Sequence, residues 1–205
     1  WGLHPWAITA DSEMTSLHLH QLEAMLGDPP VPVVALGETG LDYGKRISRD
    51  LWSAQAEAFR LQIDLAHQYA LPLVLHVVSA HEAALNILRS QPLPDPAGMV
   101  HAFSGSAEIA QAYVALGFHI SFCGTIADPR RRKLKRAAAA VPSDRLLVET
   151  DSPDQTPITR RPGPNEPAFL IDVIAAVAEI RGETPDHVAN ITCLNAENLF
   201  CQRQL

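Results

Sequence analysis

The pattern that most constrains this chain is a repeated one: a short apolar run, a polar residue at its end, then a stretch with helical periodicity. Val33–Gly37 ends at Glu38, Leu71–Leu75 at His76, Gly98–Val100 at His101, Phe118–Phe122 near Cys123 and Gly124, and Leu146–Val148 at Glu149-Thr150-Asp151. Short continuous apolar runs suit strands buried on both faces of a parallel sheet. Between them, Leu51–Tyr69, Ala80–Arg89, Ala107–Leu116 and Arg130–Ala139 place apolar residues on one helical stripe. In the first of these, Leu51, Ala54, Ala58, Leu61, Ile63, Leu65 and Ala66 form the stripe, with Glu57, Arg60, Gln62 and Gln68 off it. Pro167–Arg181, Pro185–Ile191 and Asn195–Phe200 read as further helices, and Leu17–Leu26 as an amphipathic one. Asp128-Pro129 reads as a helix opening, and Gly117 and Gly182 as stops. Alternation of this kind specifies an α/β fold with a parallel sheet.

In a parallel sheet the C-terminal strand ends lie on one side, where barrels and open sheets alike bind their ligands. Glu38, His76, His101 and Asp151 each stand at such an end. Two imidazoles and two carboxylates are the donors a divalent cation takes. A lone acid at a strand end is often only a cap for the next helix; four ligand-type residues on four strand ends favour a metal site. The pair His18 and His20 has the H-x-H spelling but sits in a helical stretch, where residues two apart diverge by about 200°, so it is read as peripheral. His67, His119 and His187 have no companions, and His4 stands at what reads as a strand end and is a candidate to line the site. Arg160 and Arg161, in the loop after Asp151, are candidates for holding an anionic substrate group. No strand end carries the lysine that a Schiff-base aldolase needs.

Composition narrows the function classes. Sixteen basic against 23 acidic side chains give a net charge of −7, which excludes a bulk, sequence-blind nucleic-acid binder but not an enzyme that grips phosphates through a metal. The run from Arg130 to Arg136 therefore reads as a solvated helix face. No apolar run reaches the ~18 residues of a spanning helix. Cys123, Cys193 and Cys201 form no metal-ligand spacing and fit a reducing, cytoplasmic setting. The chain opens at Trp1-Gly2-Leu3-His4, without a methionine, on what reads as the end of a strand. With only five or six strands legible, the expectation is a single barrel domain over residues 1–205 whose first strands lie upstream of this chain.

The motifs carry a resemblance. Gly37-Glu38-Thr39-Gly40-Leu41-Asp42-Tyr43, Pro72-Leu73-Val74-Leu75-His76, His101-Ala102-Phe103-Ser104-Gly105 and Glu149-Thr150-Asp151-Ser152-Pro153 resemble, in order, the signatures of the TatD family of metal-dependent hydrolases. Gly2-Leu3-His4-Pro5 and Pro164-Asn165-Glu166-Pro167 fit as well, and the stretch His76–His81 is more similar to the YjjV-type branch. The resemblance implies an amidohydrolase-like (β/α)8 TIM barrel with one or two divalent ions (Mg, Mn or Zn) at the C-terminal strand ends. It implies hydrolysis of DNA phosphodiester bonds or of another anionic ester, with no membrane and no obligate protein partner. On it, Glu38 lies between two metals, His76 and His101 on one, and Asp151 on the other, with Asp151 and Glu38 catalytic. Two features depart from the pattern. The family's first-strand H-x-H is not in this chain, and Val78 and Ser79 stand where many relatives carry an arginine. Another ester, amide or lactone substrate, or a non-catalytic remnant lacking the H-x-H, is the alternative.

Overall fold

The computed structural model describes residues 1–201. The chain divides into two compact units, Trp1–Val100 and His101 onward. Each is built from parallel strands with helices packed against them.

In the first unit, β1 (Leu36–Asp42) pairs in parallel with β2 (Leu73–Val78), and β2 with β3 (Gly98–Val100). Helices α2 (Trp52–Gln68) and α3 (His81–Arg89) pack on this layer, and α1 (Ser12–Gly27) packs against α2 through Leu19 and Ala58. Leu36, Leu41, Phe59, Ile63, Ala66, Leu73 and Leu75 are almost fully buried and form the core. Asp11 starts α1 by accepting from the N–H groups of Glu13 and Met14 at 3.0 and 3.1 Å, satisfying two donors that the helix itself leaves open. His18 and His20 lie on α1, where helical spacing separates them.

The first strand is displaced from its apolar run. Residues 33–35 are irregular, and the strand runs on through Gly37-Glu38-Thr39-Gly40. Pairing with β2 overrides the weak strand propensity of this segment. Gly40 is needed there: its φ is +136°, and a Cβ would collide with the His76 carbonyl. Leu71–Leu75 likewise shifts to Leu73–Val78. Glu38 and His76 are therefore inside their strands rather than beyond them. The stripe on α2 also needs correcting. Leu61 is 45% exposed, while Phe59, Gln55 and Gln62 are buried. The two glutamines are inside because each satisfies backbone groups of the N-terminal segment.

In the second unit, β4 (Phe118–Phe122) pairs in parallel with β5 (Leu146–Val148). Around them lie α4 (Ala107–Val114), α5 (Arg132–Ala140), α6 (Leu170–Arg181) and α7 (Pro185–Phe200). Strands β3, β4 and β5 have the bounds their apolar runs predict. Ser106 and Thr184 cap α4 and α7, and α6 stops at Gly182 with φ +67°. Asp128-Pro129 does not open α5. Asp128 follows a 3-10 turn (Gly124–Ala127), its carboxylate takes the Arg130 backbone and guanidinium, and the helix begins at Arg132. The two terminal helical stretches are one helix, because Thr192 turns its hydroxyl back to the Val188 carbonyl at 2.8 Å and stays inside. Among the described residues no helix is long and apolar enough to cross a membrane.

Candidate metal centre

The first unit brings His4, Glu38 and His76 together, with one ligand atom from each lying within 4.8 Å of the others. His76 Nδ1 is 3.4 Å and His4 Nε2 3.7 Å from Glu38 Oε2. Glu38 reaches this place through an irregularity in the ladder. Gly37 is opposite Val74 and Thr39 opposite Leu75, so Glu38 is the extra residue of a bulge, a device that re-aims a side chain. His4 is set by α2. Gln62 accepts from the Leu3 N–H at 2.7 Å and donates to the Leu3 carbonyl at 3.1 Å. Gln55 donates to the Pro5 carbonyl at 3.2 Å and accepts from the Asp42 N–H at 2.9 Å. Gly2 lies so close to Gly37 that a side chain there would meet the Gly37 backbone at 2.7 Å.

The other nitrogen of His76, Nε2, is 3.3 Å from Asp42 Oδ2. Asp42 is 5% exposed and also accepts from the Trp6 indole N–H at 2.6 Å and the Gly44 N–H at 2.7 Å. Burial pushes its carboxyl up, but the bonds from Trp6, Gly44 and His76 together outweigh it and hold the group below the usual range. An ionised Asp42 keeps the hydrogen on Nε2 and leaves the Nδ1 lone pair on the Glu38 side. That is how ligating histidines are commonly oriented. Trp6 is 66% exposed, with its ring 4.9 Å from that of His4 and 5.9 Å from that of His76.

The second unit repeats the arrangement. His101 Nδ1 is 2.9 Å from Glu149 Oε1, and Nε2 is 3.3 Å from Asp151 Oδ1. Glu149 also accepts from the Ala102 N–H and the Ser121 hydroxyl, both at 2.6 Å. Asp151 and Ala102 both have left-handed backbone, with φ of +61° and +41°. Such conformations persist where the surroundings over-determine them. Asn165, 4% exposed, holds the loop: its amide donates to the carbonyls of Thr150 and Asp154 at 2.5 and 2.7 Å.

Glu38 and His76 thus meet in one unit, and His101 and Asp151 in the other. His4 joins the first group. Arg160 forks onto Asp172 at 2.6 and 3.1 Å and sits over the Phe169 ring, so its guanidinium is engaged within the loop. Arg161 is exposed and donates to the Thr156 carbonyl. Sequence reasoning assigned no role to Asp42, Glu149, Gln55, Gln62 or Asn165. Asp42, Glu149 and Asn165 stand within the quoted motifs, and their acid or amide character beside a ligand-type residue is the signal they offered.

The donor set suits a divalent cation. Imidazole and carboxylate are borderline-to-hard ligands, and the far nitrogens of His76 and His101 are each fixed by a second carboxylate, whereas Nδ1 of His4 accepts from the Trp6 N–H at 3.1 Å. Comparison with known proteins gives the class: metal-dependent hydrolases on a (β/α)8 barrel. The TatD related DNase family matches residues 1–201, and the chain belongs to the TatD family. The 3'-5' ssDNA/RNA exonuclease TatD of Erwinia billingiae is 37% identical over 204 residues, covering 97% of this chain and 76% of that protein. The uncharacterized metal-dependent hydrolase YabD of Bacillus subtilis is 38% identical over 169 residues, 82% of this chain and 65% of YabD. The chain thus spans about two thirds to three quarters of the length of these relatives. The crystal structure of the TatD homologue YjjV from Escherichia coli superposes with a TM-score of 0.89 at 34% identity, over 98% of this chain and 75% of that one. A TatD family hydrolase from Entamoeba histolytica shares the fold at 21% identity, with a TM-score of 0.76 over 97% of this chain and 73% of that one.

Proposed function

We propose that the protein hydrolyses phosphodiester bonds of DNA with one or two divalent cations, Mg, Mn or Zn. The observation that carries this is the approach of ligand atoms of His4, Glu38 and His76 within 4.8 Å, each a ligand type. Glu38 and His76 are the ligands of that group, and His101 and Asp151 supply the same chemistry in the second unit. A divalent ion supplies Lewis acidity toward a phosphoryl oxygen and makes water a nucleophile near neutral pH.

The chain's own residues do the rest. Asp151 is 27% exposed, open enough to meet a water, and accepts its proton at a carboxylate oxygen. His4 contacts the substrate beside Glu38. The exposed face of Trp6 offers a surface on which a base can stack. Arg161 meets a phosphate; Arg160 can do so only by sharing its fork with Asp172. The name of the TatD relatives, 3'-5' ssDNA/RNA exonuclease, supports a nucleic-acid substrate. The three free cysteines support a cytoplasmic setting.

The test is a metal-supplemented nuclease assay on end-labelled single-stranded DNA, with chelator and Glu38→Gln controls. Stepwise shortening that both controls abolish is expected. Activity that survives chelator, or hydrolysis of other esters or lactones but not DNA, would overturn the reading.

A further inference from the structure

We propose that α5 and the turn before it form a docking strip for the phosphate backbone of a nucleic-acid strand. The proposal rests on the phosphodiesterase reading above and adds a surface outside the metal-binding groups. Six of the chain's sixteen basic residues lie between Arg130 and Arg136, in a chain whose net charge is −7. Arg130, Arg131, Arg132, Lys133 and Arg136 are exposed, whereas Leu134, Ala137 and Ala138 turn inward.

Asp128 and Glu108 lie beside this run. Asp128 takes Arg130 in a fork at 2.8–3.2 Å and also feels Arg131, and Glu108 lies in the field of Arg136 and Lys133. Asp128 and Glu108 thus set two carboxylates beside a run of six cations. The sequence also works against its own helix. The first turn of α5 has no acidic residue and no side-chain cap, and it sets cations at the positive end of the helix dipole. Arg132 and Arg136 are like charges four apart. A polyanion relieves both strains, and a merely solvated face has no need to incur them.

The placement within the second unit suits a substrate surface. The chain leaves β4 at Phe122, passes the turn Gly124–Ala127 and enters the basic run. Phe122 is opposite Val148, and its carbonyl accepts from the Glu149 N–H at 3.0 Å. The run therefore begins on the side of the strands where Glu149 and Asp151 emerge. A strand lying along it would lead toward His101 and Asp151.

The experiment compares the chain with Arg131→Gln/Arg132→Gln/Lys133→Gln and with an equally discharged control, Arg49→Gln/Arg60→Gln/Arg89→Gln. Binding of a fluorescent 20-nucleotide single strand is read by anisotropy in chelator, from 50 to 200 mM salt, so that turnover plays no part. The α5 triple variant should bind about tenfold more weakly, and its log–log salt slope should be shallower by about 2, since each phosphate contact on a single strand contributes about 0.7. The control should keep the slope, and the melting temperature of the α5 variant should not fall. Where turnover is present, hydrolysis of bis(p-nitrophenyl) phosphate should be unchanged, because that substrate is too small to span the strip. No binding by the parent chain, an unchanged slope in the α5 variant, or equal loss in the control would overturn the proposal. Binding lost without any hydrolysis by the parent chain would overturn the phosphodiesterase reading and leave the strip standing.

Discussion

Glu149 receives three donors at once, from His101, Ala102 and Ser121, with 17% of its side chain exposed. A carboxylate so placed fixes the tautomer of His101 and aims Nε2 toward Asp151. Glu149→Ala should weaken metal affinity by about 10–100-fold, the usual cost of losing such a partner, and Glu149→Gln by less, because an amide oxygen still accepts. Calorimetric titration with Mn²⁺ checks this; equal affinity in both variants would show that Glu149 only braces the loop. Asp151→Asn should lower hydrolysis by ~10²–10⁴-fold through loss of the base alone, with the melt retained. Asparagine tolerates the left-handed backbone that this position requires, so an unaltered melt with near-parental activity would end the catalytic reading. At this scale the sequence made the ligand types visible and hid their supports. Glu38, His76, His101 and Asp151 are spelled as polar residues interrupting apolar runs. Gln62 looks like a solvent-facing residue of α2. Only the fold reveals that Leu3 comes to lie against it, 59 residues away in sequence.

Elements were legible where burial on both faces made the run itself apolar. Gly98–Val100 and Leu146–Val148 are of this kind, whereas Phe118–Phe122 also buries His119 and Ser121 and shows itself through Phe118, Ile120 and Phe122 at alternate positions. The first strand was not, because it is made of Gly-Glu-Thr-Gly and is held by pairing with β2 and by the close approach at Gly40. The stop at Gly182 was legible, and its reason is testable. Nothing lies within 4 Å of a Cβ there, so Gly182→Ala should cost only the backbone strain at φ +67°, ~1–2 kcal/mol, read by urea unfolding. The loop after β5 is tied to α6 by Arg160 and Asp172. The Arg160 guanidinium, with help from Thr159, holds the Asp172 carboxyl below its ordinary value of 3.8. The pair therefore stabilises the folded state fully above about pH 4, and that contribution is lost as the pH falls through the depressed value. Asp172→Asn should melt below the parent at pH 6, with the gap closing as the pH drops under 3.8. A gap independent of pH would assign the effect to the Thr159 contact or to packing.

For the molecule as a whole, each of the two imidazole–carboxylate groups sets two carboxylates around one histidine within its own unit, and a cation would offset their mutual repulsion. Glu38 and Asp42 flank His76, and Glu149 and Asp151 flank His101. Such an arrangement favours the folded state most when a cation occupies it, since only the folded chain presents these donors together. Metal binding should then appear as stability, independently of any substrate. At a free metal concentration 100 times the dissociation constant the linkage is ~2.7 kcal/mol per site, and at 1,000 times ~4.1 kcal/mol. For a chain of this length each kcal/mol moves the melting temperature by about 2–4 °C. Saturating Mn²⁺ or Zn²⁺ should therefore raise the melt of the chelator-treated protein by roughly 5–15 °C. Asp151→Asn should lose part of that rise and Glu38→Gln another part, while His18→Ala and His20→Ala on α1 should lose none. A melt that is indifferent to metal in the parent chain would remove the cation from both groups, and with it the basis for assigning hydrolysis to them.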